Sequence, residues 1–250
     1  MGSRTEVMAA LHDASARFVA LAATVSPAQG SQPVPGLDWT VAETIAHVLT
    51  VVRRGFADRR RSASAGETAA LNALVLAETT ERDPGALAAR LHADVHTALD
   101  VVYPKIPDDR EFPFHGGVTA TMTPALHVVL GEFVIHGFDV ATALGVPWPI
   151  GEDEALLLVP GELMGAWVRP DAPVEVYELC LGDRTPLRFE LGPARLRVGP
   201  LTAEPGAAAE AEAVDGVVTM PAADFVLGFY NRVPVTDPVL ARLQSRFVPS

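Results

Sequence analysis

The chain has 250 residues, of which 49% are hydrophobic, so it can bury a substantial core and global disorder is not expected. Its formal net charge of −12 argues against a nucleic-acid partner and against docking on an anionic membrane, because both need a basic surface. The lone Cys180 cannot form an internal disulfide, which fits a reducing cytoplasm. We therefore expect a cytoplasmic protein with no signal peptide and no apolar run of about 20 residues.

Apolar residues at helical spacing predict four main helices in the first part of the chain. The predicted ranges are 5–24, about 41–56, 84–103 and about 123–144, with a shorter helix over 67–78. Thr40 and Glu43 form a capping-box pattern before the second helix, and Gly145 ends the last one. The basic run 59–61 is interpreted as a solvated helix end. Four amphipathic helices joined in this way indicate a bundle.

After about residue 170 the apolar residues alternate, which is typical of strands. The predicted strands cover 174–181, 187–191, 194–198 and 214–220, followed by helices over 221–230 and 238–247. The stretch 203–213, rich in Ala, Glu and Pro, indicates a surface loop. The predicted fold class is therefore α+β, with a four-helix bundle over residues 1–168 and a small α+β domain over 169–250.

The segment from Glu132 to Asp139, near the end of the last bundle helix, carries the main candidate for chemistry. Glu132 and His136 lie four residues apart, so both project from one helix face and can bind one divalent cation. His47, in the second helix, would add a third ligand if the two helices pack together, and would leave a coordination position open. Glu132 and His136 by themselves also fit an ordinary solvated pair.

Other histidines in the bundle offer competing interpretations. His92 and His96 form a rival pair of imidazoles at the same spacing, although they also fit partly exposed structural residues. His127 is interpreted as a bundle residue rather than a ligand. Asp139 follows His136 by three residues, so it could accept the second ring N–H of a metal-bound imidazole, or be a plain acidic residue.

Three candidates lie outside these helices. His115, beside two glycines, could approach a substrate or could belong to a loop tip without function. Arg232 could bind a carboxylate through two parallel hydrogen bonds, or be an ordinary surface arginine. Cys180 is interpreted as an inert packing residue within a strand. The absence of G-x-G-x-x-G, Walker, G-x-S-x-G and paired C-x-x-C motifs argues against common nucleotide-binding, serine-hydrolase and structural-zinc functions.

Two segments in combination resemble a known family. The first runs from Pro35 to His47 and contains Trp39; the second, about 85 residues further on, has the pattern Glu132-x-x-x-His136-x-x-Asp and continues to a glycine. The combination resembles the mycothiol-dependent maleylpyruvate isomerase family, within the DinB-like superfamily of metal-binding four-helix bundles. The C-terminal part, with the segment 228–232, resembles the small sterol-carrier-like domain of that family.

This resemblance implies that His47, Glu132 and His136 hold a divalent metal, usually zinc (Zn²⁺). It further implies mycothiol as a co-substrate and an electrophilic small molecule as the substrate. Family enzymes place an arginine of the C-terminal domain near the active-site cleft, and Arg232 is the matching candidate. Here Asn231 stands where the family more usually has glycine. A monomer or a small homo-oligomer is expected.

The leading hypothesis is a metal-dependent enzyme that activates a low-molecular-weight thiol for isomerisation of, or S-transfer to, an electrophilic small molecule. In this scheme Asp139 orients the His136 ring, and Arg232 or His115 orients the substrate. Two alternatives stay open at this point. One is a thiol-independent enzyme of secondary metabolism that uses the metal as a Lewis acid. The other is a noncatalytic small-molecule-binding protein.

Overall fold

A computed structural model describes residues 2–201 and 214–248 of the chain. The chain divides into two compact units, residues 2–150 and residues 151–250. The first is helical and the second contains the main sheet, which confirms the predicted α+β class. The division falls earlier than the expected 168/169 boundary, because the elements of 151–168 pack with the sheet unit. The predicted loop at 203–213 lies outside the described residues.

The N-terminal unit is built mainly from helices. They are α1 (Arg4–Thr24), α2 (Pro27–Gly30), α3 (Val41–Arg54), α4 (Thr68–Glu78), α5 (Pro84–His96) and α6 (Met122–Leu144). A short hairpin, β1 (Phe112–Pro113) and β2 (Thr119–Ala120), precedes α6. The predicted helix over 84–103 differs in detail, since α5 ends at His96 and continues as a π-helical segment, Thr97–Val102.

Four of these helices form the predicted bundle. Helix α1 packs against α5 and α6, and α3 packs against the same two helices. At the centre, the rings of Phe18 and Phe133 meet edge to face with their centroids 5.8 Å apart. Both rings are buried, and full burial of such a side chain contributes about 1.5–3 kcal/mol to folding. The apolar stripes that predict the helices are therefore the surfaces that join them.

Helix α6 agrees with the predicted helix over about 123–144 and is strongly apolar. Its 23 residues are enough, by length and composition, to cross a membrane. In its most apolar window, however, 56% of the residues are buried within the protein. This burial is typical of a core helix, and the contacts of α6 with α1 and α3 account for it.

The C-terminal unit combines helices with a four-stranded sheet. Its elements are α7 (Glu152–Leu157), a 3-10 helix (Glu162–Trp167), β3 (Glu175–Leu181), β4 (Leu187–Gly192), β5 (Arg195–Pro200), β6 (Gly216–Met220), α8 (Ala222–Phe229) and α9 (Pro238–Ser245). The strand order is β5-β4-β3-β6, with β6 parallel to β3 and the other pairs antiparallel. The four predicted strands and two predicted helices are confirmed. Helix α7 was missed, because six residues are too few to show a helical period.

Gly137 allows the chain after α6 to fold back beside the candidate ligand His136. A Cβ atom at Gly137 would lie 2.1 Å from the indole ring of Trp148. That indole donates its N–H to the carbonyl of Val134 at 3.0 Å, and the guanidinium of Arg17 lies 5.0 Å above the ring. Only glycine leaves room for this contact.

We expect Gly137→Ala to lower the free energy of unfolding by about 1–3 kcal/mol, because the added methyl group must displace a packed ring. Urea denaturation measures the change. Gly66→Ala is the matched control, since a Cβ atom there meets nothing within 4 Å. An equal loss of stability in both variants would contradict the assignment of the effect to Trp148.

Candidate metal centre

Helix α3 is fixed at its start by the predicted capping box. The hydroxyl of Thr40 accepts the N–H of Glu43 at 3.3 Å, and the Glu43 carboxylate accepts the N–H of Thr40 at 2.8 Å. An antiparallel bridge between Pro33 and Thr40 closes the turn before the helix. His47 lies seven residues after the cap, or about two helical turns, and is 2% exposed.

Three side chains from α3 and α6 converge at one point. The Nε2 atom of His47 lies 3.1 Å from Oε2 of Glu132, and Nε2 of His136 lies 3.3 Å from the same oxygen. The three candidate ligand atoms all lie within 4.8 Å of one another. Ligand atoms of a tetrahedral zinc ion, with bonds of about 2.0–2.1 Å, stand about 3.4 Å apart. The side chains are therefore spaced as ligands of a single ion, and we call them the triad.

Asp139 contacts the triad through the Nδ1 side of the His136 ring. Its carboxylate is buried, and Oδ2 lies 2.9 Å from Nδ1 of His136. Since a carboxylate can only accept, Nδ1 of His136 donates its hydrogen and Nε2 is turned toward Glu132. Hydrogen bonds of this kind fix the orientation of a metal-binding imidazole and raise its basicity.

The pKa values of the three triad side chains are shifted by burial and by their mutual hydrogen bonds. Burial lowers the pKa of His47, which favours the neutral ring that a metal needs. Burial opposes charge on His136 as well, but its bonds to Asp139 and Glu132 overcome this and raise its pKa to about 9. Burial disfavours the Glu132 carboxylate, yet the hydrogen bonds from both histidines hold its pKa well below the usual range. Two imidazoles and one carboxylate are a ligand set that zinc accepts.

Trp39 lies against the triad, a contact that its place in the segment from Pro35 to His47 does not by itself predict. Its ring centroid is 4.6 Å from that of His47 and 6.0 Å from that of His136. The indole covers one side of the His47 ring. Its fluorescence should therefore respond to an ion bound by these imidazoles.

The rival pair of histidines lies elsewhere in the bundle. His92 and His96 line an open cavity of about 400 Å³ together with His12 and Asp100. Nδ1 of His96 is already engaged with Asp100 at 2.5 Å. Among the histidine, cysteine, aspartate and glutamate side chains of residues 2–201 and 214–248, the triad is the group of three whose ligand atoms lie close enough together to bind one metal ion. His127 lies on α6 outside the triad.

His115 is buried, so it does not sit at an exposed loop tip. Gly116 and Gly117 have φ angles of +77° and +73°, and a Cβ atom at Gly117 would lie 2.3 Å from the carbonyl oxygen of Ala63. These glycines let the turn dock against the segment after α3. There Ser62 donates its N–H to Nδ1 of His115 at 3.2 Å, and its hydroxyl accepts the N–H of Gly116 at 2.9 Å.

The buried His115 should make the protein sensitive to mild acid. Burial, followed by the charges of Arg54 and Arg61, lowers the pKa of His115 from 6.5 to about 4. The unfolded chain then binds a proton between these two values that the folded chain does not, so stability falls as pH falls through this window. We expect His115 to contribute a loss on the order of 3 kcal/mol between pH 6.5 and 4.

Urea denaturation of wild type and His115→Gln at several pH values between 4 and 7 measures this contribution. The variant should lose less stability toward low pH. His92→Gln is the control, since His92 is exposed, and it should follow the wild-type profile. Parallel profiles for wild type and His115→Gln would contradict the prediction.

The two remaining candidates lie in the C-terminal unit. Arg232 donates from Nη1 to the carbonyl of Tyr230 at 2.6 Å and lines an open cavity of about 460 Å³. The preceding Asn231 has a φ angle of +60°, a left-handed conformation that asparagine tolerates nearly as well as glycine. Asn231 therefore keeps the backbone that a glycine would adopt. Burial and then Glu178 raise the pKa of the Cys180 thiol, so Cys180 is a poor source of a thiolate.

Comparison with known proteins assigns the family. The profile described as the mycothiol maleylpyruvate isomerase N-terminal domain matches residues 11–141, more than half of the chain. The chain belongs to this family. The matched range contains His47, Glu132, His136 and Asp139. A comparison with curated proteins finds no match.

Two solved structures share the fold of this family member. One is the crystal structure of the mycothiol-dependent maleylpyruvate isomerase, with 17% identity, a TM-score of 0.57, and coverage of 92% of this chain and 89% of that one. The second is a mutant of that isomerase in which a histidine is replaced by alanine. It has 18% identity, a TM-score of 0.50, and coverage of 76% and 80%. At such identities the likeness establishes the fold alone.

Proposed function

We propose that the protein is a zinc-dependent enzyme that uses a low-molecular-weight thiol, mycothiol, to isomerise an electrophilic small molecule. The observation that carries this proposal is the triad, in which His47, Glu132 and His136 present one atom each at metal-ligand spacing. Membership of the mycothiol maleylpyruvate isomerase family supports the choice of thiol and reaction. Burial raises the pKa of the Cys180 thiol, which is consistent with a thiol supplied from outside.

The side chains of the site have separate roles in this proposal. His47, Glu132 and His136 hold the ion, and Asp139 keeps Nε2 of His136 turned toward it. A divalent cation bound here would supply the means to deprotonate a coordinated thiol at neutral pH. Trp39 covers the His47 ring and limits the access of water to it. Arg232 stays a candidate for orienting the substrate.

The isomerisation itself needs no net change of atoms or electrons. The thiol loses its proton, and its sulfur adds to one carbon of an activated C=C bond, leaving the electron pair on the activating carbonyl group. The former double bond is now single and can rotate. Expulsion of the same sulfur restores the C=C bond in the other geometry, and the thiol regains its proton. S-transfer would result if the adduct were protonated at carbon and released.

The proposal is tested with purified protein of known metal content. Elemental analysis should give about one zinc ion per chain, and maleylpyruvate should be converted only when mycothiol is added. Conversion without any thiol would favour the Lewis-acid alternative, and a stable thiol adduct would favour S-transfer. Binding without conversion would favour a noncatalytic small-molecule-binding protein. Cytoplasmic location and the predicted monomer or small homo-oligomer remain predictions.

A further inference from the structure

Arg54 is an unusual residue to find beside the triad. It is the last residue of α3 and lies seven residues after His47, which places both side chains on the same helix face. The residue is only 8% exposed. Within the described part of the chain, neither Nε nor Nη2 of this guanidinium has a hydrogen-bond partner. Buried arginines are normally paired, because an uncompensated charge is costly to bury.

His115 presents a second buried donor in the same neighbourhood. Nη2 of Arg61 donates to the carbonyl of Arg54 at 2.7 Å, and the next residue, Ser62, donates its N–H to His115. Because Nδ1 of His115 accepts this hydrogen, the neutral ring carries its own hydrogen on Nε2. That atom is also buried without a partner among the described residues. Arg54 and His115 thus both offer unused N–H groups.

The local charge is positive in a protein whose net charge is −12. The hydrogen bonds of Arg61 go to three backbone carbonyls, those of Asp58, Arg60 and Arg54. The Asp58 carboxylate forms an ion pair with Arg60. Burial lowers the pKa of Arg54, and Glu132 is the foremost of the charges that oppose this, so Arg54 lies within electrostatic range of the triad. A divalent cation on Glu132 would engage this carboxylate and leave the arginines in excess.

We propose that Arg54 and His115 form an anion site beside the triad that holds a carboxylate of the substrate. A guanidinium fork matches a carboxylate, and the Nε2–H of His115 adds one more donor. This inference rests on the proposed function, to which it adds the two residues that hold the substrate. Arg54 acts here by positioning the substrate.

The test uses maleate, a simple cis-dicarboxylate, as the probe. Its affinity is measured by calorimetry for zinc-loaded and for chelator-treated protein, in wild type and in Arg54→Gln. Removing one charge-assisted pair should weaken maleate binding roughly tenfold to a hundredfold in both forms. Zinc content should not change. Arg53→Gln is the matched control, because Arg53 has its own carboxylate partner in Asp94 at 2.6 Å.

Arg54→Lys, which keeps the charge but loses the fork, should show an intermediate affinity for maleate. Without maleate, Arg54→Gln should melt at the same temperature as wild type or higher, because it removes an unpaired buried charge. The inference would be overturned by equal maleate affinity in wild type and Arg54→Gln, or by no measurable binding to wild type. Unfolding of both Arg54 variants would likewise overturn it, because Arg54 would then be structural. Failure of the proposed function appears separately, as absence of thiol-dependent conversion with maleate binding intact.

Discussion

Replacing Glu132 with glutamine is expected to weaken zinc binding on the order of 100-fold or more. The reason is that Oε2 of Glu132 is the atom shared by both histidines, at 3.1 and 3.3 Å. Structural zinc sites in zinc-finger peptides bind the ion with about 10–16 kcal/mol in total, so the loss of one charged ligand of three is expected to cost several kcal/mol. Glutamine has the same shape but no charge. Thiol-dependent activity should be lost together with the zinc.

Zinc affinity is measured by competition with a chelating dye, with the fluorescence of Trp39 as a second reporter. Because the chain has three tryptophans, a Trp39→Phe variant identifies the signal. At equal zinc concentration, zinc should also raise the melting temperature of wild type more than that of Glu132→Gln. Glu111→Gln, at an exposed position of the same unit, should behave as wild type.

The double variant His92→Ala/His96→Ala separates the triad from its rival pair of histidines. It should retain one zinc ion per chain and full activity, because the rival histidines lie outside the triad. Loss of the zinc in this double variant, with zinc retained in Glu132→Gln, would place the metal at His92 and His96. That result would refute the assignment of the metal to the triad.

Replacing Asp139 with asparagine is expected to lower zinc affinity roughly 10- to 100-fold. The asparagine oxygen can still accept the hydrogen of Nδ1 of His136, so the ring should keep its orientation. The buried negative charge is lost, and with it part of the basicity of the ring. The pKa of His136, about 9 in the wild type, should fall in metal-free Asp139→Asn.

NMR titration of the imidazole resonances measures this fall in the pKa of His136, and dye competition measures the affinity for zinc. A purely structural role for Asp139 would lower stability without moving either quantity. Asp13→Asn, an exposed substitution on α1, is the matched control. An unchanged His136 pKa in Asp139→Asn would contradict the role assigned to the 2.9 Å contact.

Much of the local structure could be predicted because it depends on neighbours in the chain. The capping box of Thr40 and Glu43 is confirmed, since both partners lie within one helical turn. The alternation in 174–181 and 187–191 correctly predicts β3 and β4. The short helix α7 and the π-helical segment after α5 were not predicted, because a few residues carry too little periodicity.

The basic run 59–61 shows where a local interpretation fails. The run predicts a solvated helix end, but α3 ends at Arg54 and the Arg61 side chain folds back onto the carbonyl of that residue. Arg61 is half-buried because its guanidinium folds back on the carbonyls of Arg54, Asp58 and Arg60. No pattern within the basic run carries that information.

The sequence alone determined which residues could share one helix face. The spacing of Glu132, His136 and Asp139 already placed two carboxylates and an imidazole on one face of the predicted helix, since 3.6 residues make a turn. Only the tertiary structure decided that His47 meets them rather than another histidine. It also decided that Trp39 covers the site and that Arg54 is buried near it. These contacts join residues distant in the chain, and the packing of α3 against α6 sets their distances, which no local periodicity encodes.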